Sequence, residues 1–193
     1  MESAALRFMR FARLAPVLAL FLSATAYADG GYVSAGAGPG AGLAGDIASA
    51  FTTSDSMNAR FSLGQRVDNF AFEASLFGAG LIGDSDFAGF GREYDTLSLG
   101  VDVKYFIGLI GPLEVYPKIG LNRTWLTGER DQYDYDGIGW DLGAGLLYSF
   151  DRVGIWLDFT HQRTSLTDDN RTLPNRSLDG RLNMLSLGLA VSF

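Results

Sequence analysis

Apolar and polar residues alternate along most of this chain. In Leu97-Ser98-Leu99-Gly100-Val101-Asp102-Val103-Lys104-Tyr105, odd positions are apolar or aromatic and even positions are small or charged. A strand turns successive side chains to opposite faces, so this segment has one greasy face and one polar face. On a helix, Asp102 and Lys104 would be scattered with no apolar stripe to match. The same pattern predicts strands at about 31–38, 57–66, 70–80, 95–106, 113–125, 138–150, 153–163 and 181–193. Most of these are longer than the roughly five or six residues of an ordinary strand. They match the about 9–11 tilted residues that cross a bilayer.

The connections carry a second signal. Links after the second, fourth and sixth strands are short: Val67-Asp68-Asn69, residues 107–112, and Asp151-Arg152. The other links, at about 39–56, 81–94, 126–137 and 164–180, are long. Short periplasmic turns alternating with longer external loops are the mark of an outer-membrane barrel. The expected fold is therefore all-β: an eight-stranded antiparallel up-and-down transmembrane β-barrel. An even strand count returns both termini to the periplasmic side and lets the first and last strands pair. That closure matters, because an open sheet edge cannot leave its N–H and C=O groups unpaired in hydrocarbon.

Two features decide which face points inward. Gly64, Gly78, Gly100, Gly120, Gly143, Gly145 and Gly188 are assigned to the polar face. An eight-stranded barrel has an interior that side chains just fill, so small residues belong there. Tyr105, Trp125, Trp140, Tyr148, Phe150 and Phe193 sit toward the ends of the apolar face, as aromatic girdles do at headgroup depth. The apolar face is thus assigned to lipid. Arg60, Glu73, Asp102, Lys104, Glu114, Lys118, Asp141 and Asp158 then point into the lumen, three cations and five anions. A structural network of paired charges is the favoured reading, since buried charges must be paired to be tolerated. The alternative is an ion path.

Composition narrows the function. The chain has no cysteine and one histidine, which excludes disulfides, thiolate metal sites and histidine-rich ones. Its 22 acidic against 15 basic residues argue against a nucleic-acid partner. The start is set apart: Arg7, Arg10 and Arg13, then an apolar run over 14–22, then Ala26-Tyr27-Ala28. This is a secretory signal pattern, with cleavage expected after Ala28 at the small residues Ala26 and Ala28. Its apolar run is too short for the roughly 20 residues of a spanning helix. Residues 1–28 are read as a cleaved signal peptide and residues 29–193 as the barrel domain, whose net charge is −9. The four long links carry −2, −2, −3 and −1 of it in chain order.

Several segments together resemble the OmpA-like family of small outer-membrane β-barrel proteins. They are Gly31-Tyr32-Val33-Ser34-Ala35-Gly36-Ala37-Gly38 and Leu63-Gly64-Gln65-Arg66 with Asn69-Phe70-Ala71-Phe72-Glu73. Pro117-Lys118-Ile119-Gly120-Leu121 and Leu142-Gly143-Ala144-Gly145-Leu146-Leu147-Tyr148 match later strands. The end is the most specific: Leu185, Leu187, Leu189, Val191 and Phe193 occupy every second position. The resemblance implies that this strand is the signal read by the outer-membrane barrel insertion machinery. Larger members of the family continue into a peptidoglycan-binding domain. Nothing follows Phe193 here, so a barrel alone is expected and a wall-anchoring role is not carried over.

Catalytic and metal chemistry find little support. Lipid A deacylase barrels place a histidine and a serine two residues apart, whereas His161 and Ser165 are four apart. His161 also shares parity with Ile155, Leu157 and Phe159, on the lipid side. Asp131-Gln132-Tyr133-Asp134-Tyr135-Asp136 lacks the glycine and terminal glutamate of a calcium loop. The expectation is a non-enzymatic outer-membrane protein with no catalytic residue, metal or cofactor. Its acidic external loops would face outer-membrane lipid and lipopolysaccharide in a structural or surface-interaction role. The alternative is a narrow pore for ions or small solutes.

Overall fold

A computed structural model of the chain describes residues 30–39, 42–46, 51–53, 58–83, 93–128, 135–168 and 177–193. The signal segment with Ala26 and Ala28 lies outside these residues, as do Asp131 to Asp134 of the acidic run. Eleven strands appear: β1 (Gly31–Gly38), β2 (Gly42–Gly45), β3 (Phe51–Thr53), β4 (Asn58–Val67), β5 (Phe70–Gly83), β6 (Glu93–Tyr105), β7 (Ile107–Ile110), β8 (Leu113–Gly128), β9 (Tyr135–Phe150), β10 (Val153–Asp168) and β11 (Ser177–Ser192). Eight of them are staves, hydrogen-bonded in the order β1-β4-β5-β6-β8-β9-β10-β11. Antiparallel pairing of β1 with β11, from Tyr32↔Ser192 to Ala37↔Leu187, closes the ring.

Three short strands fall where links were expected. β2 pairs with β11 and β3 with β5, both inside the 39–56 link. β7 pairs with β8 through a bulge at Gly108/Ile110, so the 107–112 link is a small β-ribbon. Several staves also run further than expected: β8 reaches Gly128, β9 begins at Tyr135, β10 reaches Asp168 and β11 begins at Ser177. Pairings such as Thr167↔Ser177 and Thr124↔Gly137 continue the ladder beyond the apolar stripe. There outward side chains such as Ser165 and Thr167 are polar while Leu126, Leu166 and Tyr135 are buried inside, so the ladder persists although the outward apolar stripe that marks a strand has ended. The two tightest turns put Asp68 and Asp151 in left-handed backbone, each at φ 54°. Aspartate tolerates that conformation because its short side chain bonds locally.

The burial pattern is the reverse of a water-soluble protein. Ile119, Leu121 and Leu187 stand outward, 59%, 68% and 56% exposed, while Ser62, Asp102 and Thr124 are buried. Lipid rather than water covers the outward series. The interior is layered. At the short-turn end Ala71, Phe106 and Tyr116 pack together with Tyr32 and Leu147. Phe106 closes on Tyr116 at 5.0 Å between ring centroids, with the Arg66 guanidinium 4.3 Å over its own ring. Toward the other end Phe77, Ala79, Leu182 and Met184 form an apolar layer that Leu43 covers. The polar face is therefore polar only in its middle. Gly78, expected on that face, instead shares the outward parity of Phe72 and Leu76, since Glu73, Ser75 and Phe77 are the buried series of β5.

Candidate functional site

Between these apolar layers lies a sheet of charge. Each side chain arrives there by strand parity: Arg60 from β4, Glu73 from β5, Asp102 and Lys104 from β6, Lys118 from β8 and Asp158 from β10. Arg60 is the hub. Its Nη2 donates to Glu73 Oε1 at 2.9 Å and to Asp102 Oδ2 at 3.0 Å. Its Nη1 reaches Asp158 Oδ1 on the far wall at 3.1 Å. Lys104 Nζ donates to Glu73 Oε2 at 2.5 Å, and Lys118 Nζ to Asp158 Oδ1 at 2.7 Å.

Neutral donors complete the carboxylates. Tyr32 Oη donates to Glu73 at 2.8 Å and Tyr116 Oη to Asp158 at 3.0 Å. Ser75 and Thr160 hydroxyls donate to Asp102 and Asp158 at 3.1 and 2.7 Å. The two tyrosine rings fit only because they lie over glycines: a β-carbon at Gly64 would collide with Tyr32, and one at Gly145 with Tyr116. Bringing charges out of water costs several kcal/mol each, which pairing and added hydrogen bonds must offset. Here every cation of the layer has a carboxylate partner, and Glu73 and Asp158 each meet two cations.

Two of the eight expected lumen residues stand apart. Glu114 belongs to the short-turn mouth, half-buried, where it takes a two-pronged bond from Arg66 at 2.7 and 2.8 Å. Its separation from Lys118 along β8 places it below the charged layer. Asp141 is buried in the lumen near Asp102, but among the described residues it forms no ion pair; Asn122 Nδ2 donates to it at 3.4 Å. Sequence reasoning also missed Arg66 as a lumen cation, although it shares Arg60's parity. The lumenal aromatics Tyr32, Tyr116 and Trp156 were missed for a plainer reason: a polar-inward rule has no place for a ring.

Above the charges, Gln162 Nε2 donates to Ser98, Asn122, Thr124 and Thr164 at 3.1, 3.1, 2.6 and 3.2 Å. Space is scarce. A cavity of about 140 Å³ opens at the short-turn mouth, lined by Tyr32, Arg66, Phe106 and Trp156 among others. Two further gaps in the lumen hold only about 20 and 10 Å³.

Outside the barrel, His161 Nδ1 and Asn183 Oδ1 lie 2.7 Å apart, and the ring sits 5.9 Å from Trp140. Ser165 is four residues along the strand, about 13 Å away at the usual rise. Leu185, Leu187, Leu189, Val191 and Phe193 form an outward row, each 44–58% exposed. Above the apolar belt Arg163 holds Asp179 through bonds of 3.1 and 2.9 Å. That hydrogen-bonding keeps the Asp179 carboxyl below its ordinary range. Arg123 and Asp136 pair nearby, so Asp136 of the acidic run is a strand residue.

Known structures share this architecture. Neisserial surface protein A is 18% identical, with a TM-score of 0.62 over 86% of this chain and 98% of that one. A major outer membrane protein from Thermus thermophilus is 15% identical, TM-score 0.55, over 84% and 98%. The outer membrane protein AlkL is 18% identical, TM-score 0.58, over 86% and 92%. At these identities the likeness is one of fold. A search of curated protein sequences finds no match. The sequence model of the outer membrane protein β-barrel domain matches residues 14–193. With its closed ring of eight staves, lipid-facing apolar belt and filled polar interior, this chain belongs to the outer membrane protein β-barrel family and resides in the bacterial outer membrane.

Proposed function

We propose that this protein is a sealed, non-enzymatic barrel that holds its long connections at the cell surface, in a structural or surface-interaction role. The observation that carries the reading is Arg60, whose guanidinium ties Glu73 and Asp102 to Asp158 across the lumen. To pass an ion, the barrel would have to break these bonds and leave buried charges unpaired, at about 3–5 kcal/mol for each partner lost. Such a barrier favours a plug over a path. The arrangement of His161, turned outward against Asn183 and Trp140, speaks against a serine–histidine nucleophile system, which needs the two side chains in hydrogen-bond reach. The connections at the far end face lipopolysaccharide, and the outward row of β11 serves as the signal for the insertion machinery.

Conductance decides the matter. Refolded protein inserted into planar bilayers should give a heat-modifiable band on gels and no discrete channel openings. Reproducible openings of fixed size would replace this reading with a narrow pore, and would make Arg60 and its carboxylates the selectivity filter.

A further inference from the structure

The charged layer does not balance. Arg60, Lys104 and Lys118 bring three positive charges, and Glu73, Asp102, Asp141 and Asp158 bring four carboxyl groups, all buried. The excess is local. Glu73 and Asp158 each meet two cations and a tyrosine hydroxyl, whereas Asp141 forms no ion pair among the described residues. Two oxygens in the layer are buried with no hydrogen-bond partner among the described residues: Asp102 Oδ1 and Asp141 Oδ1. They converge on one place. Asp102, Gly120 and Asp141 are direct cross-strand neighbours on β6, β8 and β9. The position a β-carbon of Gly120 would take is crowded by Asp102 Oδ1 and lies 3.0 Å from Asp141 Oδ1. The two carboxyls therefore crowd the same space over the glycine, one from each neighbouring strand.

We propose that Asp102 and Asp141 are a proton-binding site, sharing one proton across Gly120 at neutral pH, so that the acid of one donates to the carboxylate of the other and the sealed layer is neutral. The shared proton supplies the one donor that both orphaned oxygens lack, and two carboxylates facing each other in a dry interior disfavour joint ionisation. Every other group facing the pair fits this count. Arg60 on β4 and Ser75 on β5 already donate to Asp102 Oδ2, and Asn122 on β8 donates to Asp141 Oδ2. Lys104 and Lys118 are committed to Glu73 and Asp158. Tyr32 and Tyr116 are bonded to the same two carboxylates, and β11 contributes Met184 and Ser186, which carry no charge. The site gives the plug a pH response. The folded barrel holds a proton that an unfolded chain releases, so stability falls as pH rises through the point of release. Between the pH at which an unfolded aspartate releases its proton and the pH at which the folded pair does, the unfolding equilibrium constant should grow by about tenfold per pH unit, the slope for one proton, and above the folded pair's release it levels off.

The test uses the refolded full barrel in phosphatidylcholine vesicles. Infrared spectra at neutral pH should show the carbonyl stretch of a protonated carboxylic acid, lost on raising the pH and absent in Asp141→Asn. Urea unfolding should weaken with pH in the wild type and stay flat over the same range in Asp141→Asn, whose amide donates to Asp102 without a proton. A wild-type spectrum with no protonated carboxyl at neutral pH overturns the proposal even if a variant fails to fold. So does a band that persists in both Asp141→Asn and Asp102→Asn. A midpoint that rises with sodium, with no such band, would replace the proton by a bound cation. None of these readings depends on whether the barrel conducts.

Discussion

Arg60 does what a lysine could not. A planar guanidinium presents donors in several directions at once, and here they reach Glu73, Asp102 and Asp158 from three strands. Replacing it with alanine leaves these carboxylates short of their shared partner in a dry interior. Arg60→Ala should destabilise the folded barrel by about 3–5 kcal/mol, read from urea unfolding in vesicles. Arg60→Lys should recover only part of that loss, since one ammonium cannot span three walls. An unchanged midpoint for both variants would mean the hub carries no net cohesion. The exposed pair of Arg163 and Asp179 makes a useful control. Breaking it should leave the urea midpoint nearly unchanged, because solvent screens it.

Among elements, the barrel wall is thinned where the interior is thickest. Gly64 on β4 is paired with Tyr32 on β1, and the Tyr32 ring occupies the space a side chain at Gly64 would fill. The ring is held there by its bond to Glu73. A β-carbon added at Gly64 must push that ring off its carboxylate, an overpacking cost of about 1–3 kcal/mol. Gly64→Ala should therefore be destabilising alone and nearly silent in a Tyr32→Ala background. A double-mutant cycle with no coupling would show that the wall absorbs the methyl group without disturbing the ring. The same pairing of glycine with ring recurs where Tyr116 lies over Gly145, so local alternation and interior packing are coupled stave by stave.

For the whole molecule the solvent is lipid, and depth sets the cost of a charge. Leu187 sits level with Leu157 and Leu146, midway along the outward apolar rows of β11, β10 and β9. Ile138 lies beside Arg123 at the far edge of the belt. Leu187→Arg should cost about 2–4 kcal/mol, while Ile138→Arg should cost about 0–1, as depth-dependent penalties in outer-membrane barrels do. Equal penalties at the two positions would argue that the belt is misplaced along the staves.

The sequence alone determined the barrel. Alternation over a bilayer's length, an even set of eight stretches and the regular swing between short and long links specify closed antiparallel staves. Parity then assigns each charged side chain a face, because a strand has only two. Parity could not show depth along the lumen, which is why Glu114 was grouped with Lys118 although it belongs to the mouth with Arg66. Nor could it show the rings that fill the interior, or the ladders that continue past the outward apolar row. The partnerships were decided by tertiary structure. Arg60 meets Asp158 only because the sheet closes and brings β10 opposite β4, and Asp102 meets Asp141 only because Gly120 stands between them with no side chain. Contacts across a barrel depend on how the closed sheet curves as well as on register, and the curvature is not written in the local pattern of the chain.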